Sequence, residues 1–198
     1  MLIIFAASAV GFFAGLFGIG GGLISVPCLF FIFETLNFDK NFLMHLTVGT
    51  AFTITIFTST VSVMTHNKNK LVDFSVVKTF GIFVVIGVLL GTLFASIMKT
   101  KTLVLFFSVV VYFFGAYLMM AQEKVKKIKP NSSITPRVIL GLFSGFVSAP
   151  MGITGAMMNV PILRYLGYPI SKCIGSAAAI GFFISFTGSI GFLISGFY

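Results

Sequence analysis

The chain alternates long apolar runs with short polar segments. Four of the apolar runs are uninterrupted and cover about residues 42–65, 79–98, 102–121 and 173–198. At about 1.5 Å per residue, a helix of roughly 20 residues crosses a 30 Å hydrocarbon core. The pattern therefore predicts an all-α membrane protein, a polytopic helical bundle.

A fifth apolar run, residues 2–33, is interrupted by Gly18, Gly20, Gly21 and Gly22, and Pro27 follows shortly after. Glycine costs about 1 kcal/mol and proline about 3 kcal/mol in a helix interior, so one helix should end here and another begin. Inside a bilayer, backbone groups freed by such a break must be satisfied by protein, water or a ligand. The break is therefore predicted to line a cavity.

The same motif occurs a second time. Residues 145–161 align with residues 11–27 at an offset of 134, which pairs Gly18 with Gly152 and Gly21 with Gly155. Gly49-Thr50-Ala51 then finds a counterpart in Gly175-Ser176-Ala177. Glycine- or proline-interrupted segments at matching positions of two halves indicate a transporter binding site.

This internal repeat predicts two membrane units. The first, residues 1–130, holds a broken helix and three spans, and the second, residues 131–198, holds a broken helix and one span. The second repeat is thus predicted to be incomplete. A fragment, a truncated product and a shortened homologue all fit this pattern.

The distribution of basic residues favours a re-entrant hairpin for each broken element over a full crossing. With hairpins, one side of the membrane carries ten basic residues and the other carries Lys40, Lys99 and Lys101. With full crossings, Arg164 and Lys172 change sides and the contrast weakens. Because cytoplasmic loops are enriched in Lys and Arg, the stronger contrast is preferred. It gives inverted halves with the N-terminus outside.

The amino-acid composition agrees with a membrane protein and argues against a nucleic-acid-binding protein. Apolar residues make up 58% of the chain, charged residues 9%, and mean hydropathy is +1.11. The net charge of +9 lies in short loops between apolar runs, which is typical of a membrane protein and not of a nucleic-acid-binding face. The expected partners are the lipid bilayer and a small solute, with no nucleic acid.

Helix termini are the predicted binding chemistry. A half-helix that begins near Gly22, or near Ala156 in the second copy, directs free N–H groups and the positive end of its dipole at the break, and two such ends suit an anion. Glycine lets the backbone approach the ligand closely. The predicted substrate-binding residues are Gly18, Gly20, Gly21, Gly22, Ser25, Thr50, Gly152, Thr154, Gly155, Asn159 and Ser176.

Each of these features also has a structural interpretation. Ser25 and Asn159 could donate to an oxyanion, or cap a helix and bond a neighbouring one. Hydroxyls such as Thr50, Thr53 and Ser176 commonly bond their own helix at the i−4 carbonyl. The pairs Gly87/Gly91 and Gly141/Gly145 fit the small-xxx-small pattern and predict helix packing.

The titratable residues give no sign of an enzyme. Glu34, Asp39, Asp73 and Glu123 all lie in loops or at span ends, which argues against a carboxylate proton relay and a cation site. His45 lies one turn inside a span and is more typical of a structural histidine than of proton coupling. No nucleophile–base pair or Cys/His cluster occurs, so no catalytic residue, metal or cofactor is expected.

With both copies aligned, the sequence resembles the TauE/SafE family of membrane transporters. Residues 14–27, AGLFGIGGGLISVP, are similar to that family's first-repeat signature, and Gly49-Thr50-Ala51 to the motif after it. The second copy is more degenerate, with Thr154 opposite Gly20 and Ala156 opposite Gly22. The resemblance implies transport of small anions such as sulfite and organosulfonates, an inner-membrane location, and two broken elements that meet near the midplane.

Two alternatives remain open beside the transporter. One is a non-transporting, half-size membrane module that needs a partner chain or a second copy, which the incomplete repeat suggests. The other is an anion channel, because selectivity by backbone dipoles serves both modes. Saturable flux that depends on a counter-ion distinguishes a transporter from a channel.

Overall fold

The computed structural model describes residues 21–120, 134–154 and 156–196, apart from the side chain of Leu118. These ranges form helices and loops and contain no strand. The helices are α1 (Gly22–Thr35), α2 (Leu43–Lys68), α3 (Phe74–Ser96), α4 (Thr100–Met120), α5 (Ile134–Met151), α6 (Ala156–Tyr165) and α7 (Ile170–Ser195).

Five of these helices, α2, α3, α4, α5 and α7, are long and apolar enough to cross a membrane. Their outer faces carry large apolar side chains, among them Phe57, Leu93 and Leu193, which are 71%, 67% and 62% exposed. A soluble monomer rarely exposes so much contiguous apolar surface, whereas lipid tails solvate it readily. The predicted all-helical, multi-pass membrane protein is therefore confirmed.

One span boundary was predicted wrongly. The apolar pattern placed the start of the third span at residue 79, but α3 begins at Phe74. Asp73 caps the helix, because its Oδ1 accepts hydrogen bonds from the backbone N–H groups of Ser75 and Val76. Lys78 thus lies within the helix and not in the preceding loop.

The closest helix pair is α3 with α5, and glycines make the approach possible. A Cβ atom added at Gly87 would lie 3.0 Å from Phe146 N, and one added at Gly145 would lie 2.8 Å from Val88 N. Gly91 and Gly141 also face the opposing helix at short range. The predicted packing role of both small-xxx-small pairs is confirmed.

Helix α7 packs against both α2 and α3 and completes the core. Phe52, Phe80, Ile180 and Ile184 are almost fully buried where these three helices meet. Gly188 allows the Phe52 ring to lie flat against α7, since a Cβ there would come within 2.8 Å of the ring. The core therefore joins α2 and α3, from the first predicted repeat, to α7 from the second.

Contacts that join loops to the first turns of helices define the two ends of the bundle. At one end, Lys172 Nζ lies 3.7 Å from Asp73 Oδ2, and Arg137 donates to Tyr168 Oη at 2.9 Å. At the other, Thr100 Oγ1 donates to the Asn41 carbonyl at 2.6 Å. We call the first of these the basic end, because most described basic residues belong to it: Lys68, Lys70, Lys78, Arg137, Arg164 and Lys172.

Candidate functional site

Helix α5 ends at the second predicted break, in a motif that requires glycine. Gly152 has φ of +66°, its N–H donates to the Ala149 carbonyl at 3.3 Å, and the N–H of Ile153 donates to the Ser148 carbonyl at 3.3 Å. This pair of bonds is the Schellman helix ending, in which the left-handed residue is usually glycine. The chain then starts again as α6 at Ala156.

The N-terminus of α1 lies directly against this break. Gly22 is buried, and a Cβ added to it would collide with the Gly152 carbonyl and lie 2.8 Å from Ile153 Cα. From α7, Gly181 faces the Thr154 carbonyl, where an added Cβ would come within 2.6 Å. We call Gly22, Gly152, Ile153 and Thr154 the glycine junction. It brings together residues of both glycine motifs.

The remaining predicted glycines are placed differently. Gly21 borders the glycine junction, but an added Cβ would make only an ordinary 3.4 Å contact with Thr55 Cγ2. Gly18, Gly20 and Gly155 lie outside the described residues. Within the described part of the chain, Gly22 is therefore the first-motif glycine in closest contact with the second motif.

Two predicted polar side chains, Ser25 and Asn159, lie one turn into α1 and α6. Ser25 Oγ makes a long bond of 3.5 Å to the carbonyl of Gly22 in its own helix. Asn159 is completely buried, and its Oδ1 accepts a 2.6 Å hydrogen bond from Ser144 Oγ on α5. Asn159 Nδ2 is buried and has no hydrogen-bond partner among the described residues.

Ser144 was missed by the sequence reasoning. It is completely buried, and with Gly141, Gly145 and Ser148 it forms a run of small residues at i, i+3, i+4 and i+7 spacing along α5. Small residues at this spacing lie on one helix face. That periodicity is the signal that could have marked the α5 face turned towards the rest of the protein.

The hydroxyls of Ser176 and Thr53, in the unbroken spans, form hydrogen bonds to groups outside the glycine junction. Ser176 Oγ accepts a 3.0 Å hydrogen bond from the backbone N–H of Asp73 and so links α7 to the start of α3. Thr53 Oγ1 donates to the Gly49 carbonyl at 3.0 Å, the predicted i−4 bond within its own helix. Thr50 is half-buried on α2.

His45 links α2 to the last turn of α3. Its Nε2 lies 3.0 Å from the Ala95 carbonyl oxygen, and since a carbonyl can only accept, Nε2 is the protonated nitrogen. Removing this bond leaves a carbonyl at the α3 terminus without its side-chain donor. The geometry accounts for a structural role.

We expect His45→Phe to lower the free energy of unfolding by about 1 kcal/mol, the usual net contribution of one hydrogen bond. Thermal unfolding in detergent measures this, and an anion-induced stabilisation should be unchanged. Should the variant keep its stability and lose a pH dependence of solute flux instead, the structural role would be contradicted.

Two apolar grooves of about 380 and 350 Å³ lie between α4, α5 and α6. Phe114, Phe143 and Met158 line both. Their walls are aromatic and aliphatic and offer a polar solute almost no hydrogen-bond donor. These two grooves therefore suit lipid chains, and the polar candidates lie at the glycine junction and along α5 and α6.

The described residues contain no group of three or more His, Cys, Asp and Glu side chains close enough to hold a metal ion. The charged side chains belong to the loops and helix ends, as in the Lys172–Asp73 pair at the basic end. The polar groups of the glycine junction itself are its backbone N–H and C=O groups and the Thr154 hydroxyl.

Comparison with known proteins identifies the family. The family model described as sulfite exporter TauE/SafE matches residues 3–198, nearly the whole chain. The chain belongs to the TauE/SafE family. This makes it a membrane transporter by family, in agreement with the resemblance found in residues 14–27.

Curated relatives of this TauE/SafE protein carry names of the same kind. A "Probable membrane transporter protein" of Haemophilus influenzae is 29% identical over 99% of this chain and 74% of its own length. Another from Methanocaldococcus jannaschii is 26% identical over 97% of this chain and 72% of its own length. A third, from Bacillus subtilis, is 22% identical over 99% and 79% respectively. No solved structure matches the chain.

Proposed function

We propose that this TauE/SafE protein transports small anions, with sulfite and organosulfonates as the substrate class, and binds them at the glycine junction. The contact of Gly22 with Gly152 and Ile153 is the observation that carries this proposal. It brings the N-terminus of α1 to the interruption from which α6 starts. Two helix N-termini near one point favour negative charge there.

The absence of charge from the helix cores supports an anion over a cation. The sequence between residues 138 and 163, which covers most of α5 and all of α6 before Arg164, contains no Asp, Glu, Lys or Arg. A cation in the membrane interior is normally met by carboxylates, whereas an anion can be met by N–H and O–H donors. The donors near the glycine junction are backbone N–H groups, hydroxyls and the Asn159 amide.

We further propose that each broken element is a re-entrant hairpin and that the two form inverted repeats. Ser144 and Asn159 would be about 22 Å apart in one straight helix at about 1.5 Å per residue, yet they share a hydrogen bond. Arg137 and Tyr168, on either side of the element, are also bonded. In addition, α1 and α6 begin at aligned positions and carry Pro27 and Pro161 at their sixth residues.

The same contacts support an orientation. If the broken elements re-enter, the basic end carries more Lys and Arg than the end with Lys40, Lys99 and Lys101. By the positive-inside rule, the basic end then faces the cytoplasm. The membrane that holds the protein is accordingly the inner, or plasma, membrane.

A ligand panel on the detergent-purified full chain tests the anion proposal. We expect sulfite, sulfoacetate or a related sulfonate to raise the unfolding midpoint, since a ligand at a hundred times its dissociation constant stabilises the folded state by about 2.7 kcal/mol. Simple carboxylates serve as the comparison set. The same anion should then show saturable flux into proteoliposomes.

Three results would contradict the proposal in different ways. An unchanged midpoint with every anion, together with no flux, would exclude small anions as substrates. Flux that rises without saturation would indicate a channel. Flux restored only after a second chain is added would indicate the partner-dependent module.

A further inference from the structure

The Asn159 amide is a buried polar group that leaves its donors unused. The residue is completely buried, its Oδ1 is bonded to Ser144, and its Nδ2 has no partner among the described residues. Nearly all buried polar groups in native proteins are hydrogen-bonded, and an unmade bond destabilises the fold. A ligand that accepts hydrogen bonds from the two N–H groups of the amide would explain why the protein keeps these donors unpaired.

The position of Asn159 directs this group towards the glycine junction. It lies in the first turn of α6, which begins at Ala156. Side chains on a helix lean towards the helix N-terminus, so the amide leans towards the break between α5 and α6. The N–H groups of that first turn and the dipole of α6 favour an anion at the same place.

The hydrogen bond from Ser144 determines which atoms of the Asn159 amide can bind a ligand. Its hydroxyl donates to Oδ1 at 2.6 Å, and both residues have no solvent exposure. With the acceptor oxygen engaged by Ser144, the amide offers only donors to a ligand. An oxyanion, which has only acceptors, matches that arrangement.

The first repeat lacks an equivalent pair. The position aligned with Asn159 is Ser25, whose hydroxyl bonds the Gly22 carbonyl of its own helix. The position aligned with Ser144 is Val10 in the sequence. Side-chain recognition is therefore supplied by the second repeat, although both repeats supply helix termini.

The pair is also electrically neutral, which bears on the charge of the ligand. No Lys or Arg occurs in the sequence from residue 138 to 163, or in residues 1–39 that include α1. The idealised cost of moving an ion into a low-dielectric interior rises with the square of its charge, about fourfold from one charge to two. A site without a countercharge should accept one negative charge far better than two.

Resting on the anion function proposed above, we propose that Ser144 and Asn159 form an uncharged site for an oxyanion, and that this site prefers a monovalent ligand to a divalent one because it has no countercharge. Asn159 binds the oxyanion through Nδ2, and Ser144 is the positioning residue that keeps this donor face turned to the ligand.

Binding of methanesulfonate, with one charge, and sulfate, with two, tests the inference on the full chain at constant ionic strength. We expect wild-type protein to bind methanesulfonate at least about tenfold more tightly than sulfate. Asn159→Ala should weaken methanesulfonate binding by about tenfold to a hundredfold, the range for one hydrogen bond to a charged group. Ser144→Ala should also weaken methanesulfonate binding, because the Asn159 amide loses the hydrogen bond that holds its orientation.

A double variant separates positioning from simple packing. If Ser144 acts through the amide, Ser144→Ala should cause no further loss of methanesulfonate affinity when Asn159 is already alanine. Ser59→Ala is the matched control, because Ser59 is a buried serine whose hydroxyl bonds carbonyls of its own helix. The unfolding midpoint without ligand reports whether each variant folds, and Asn159→Ser provides a milder change if Asn159→Ala does not.

Equal affinity for the two anions, or unchanged methanesulfonate affinity in folded Ser144 and Asn159 variants, would overturn the inference. Either result would leave the anion function intact, because anions would still bind. A wild-type protein that binds neither anion overturns both.

Discussion

Gly145→Ala will destabilise the protein by about 2–3 kcal/mol, towards the upper end of the range for overpacked interiors. The added Cβ collides with the Val84 carbonyl and lies 2.8 Å from Val88 N, so backbone, and not a flexible side chain, would have to move. The contact lies between α3 and α5, the most closely packed helices. Thermal unfolding of the purified protein measures the effect.

Gly115→Ala on α4 is the matched control for this substitution. Nothing lies within 4 Å of a Cβ added at Gly115, so the same chemical change should leave the midpoint equal or slightly higher. If Gly145→Ala proved as stable as Gly115→Ala, the close α3–α5 contact would not exist in the folded protein.

Gly22→Ala will abolish anion-induced stabilisation. Its Cβ would strike the Gly152 carbonyl and approach Ile153 Cα to 2.8 Å, so the start of α1 would be forced away from the break between α5 and α6. The two helix N-termini would then no longer act on one ligand. The readout is the shift in unfolding midpoint at saturating anion, measured beside the midpoint without ligand.

Gly115→Ala and Gly145→Ala together separate binding from folding. Gly115→Ala adds a Cβ with nothing within 4 Å and should keep both the midpoint and the anion response. Gly145→Ala should lower the midpoint but retain the response wherever the protein remains folded. A full anion response in Gly22→Ala would remove the glycine junction as the binding site.

The helical spans were largely predictable from sequence because they depend on local properties. Apolar runs long enough to cross a bilayer must be helical there, since no water is available to satisfy the backbone. The predicted break in the second motif was equally local, since Gly152 adopts a φ that other residues resist. The start of α3 was misplaced because hydropathy does not register a cap such as Asp73.

The residues of the candidate site could be predicted from the sequence only in part. Repetition of the motif marked Gly22 and Gly152, and the structure brings them into contact. Ser144 carried no such mark, since a serine within an apolar run is common and its partner Asn159 lies 15 residues away in sequence. The partner of Ser176, the backbone N–H of Asp73, was likewise invisible, because a long-range bond leaves no local pattern.

The sequence by itself determined the membrane environment, the helical class and the break at Gly152, because bilayer insertion and backbone conformation follow from composition and short-range spacing. It also carried the motif that marks the family. Only the tertiary structure decided which glycine contacts which carbonyl and that Ser144 on α5 donates a hydrogen bond to the Asn159 amide on α6. Those facts depend on close packing between segments far apart in the chain, where shifts of one ångström decide whether two atoms bond or collide.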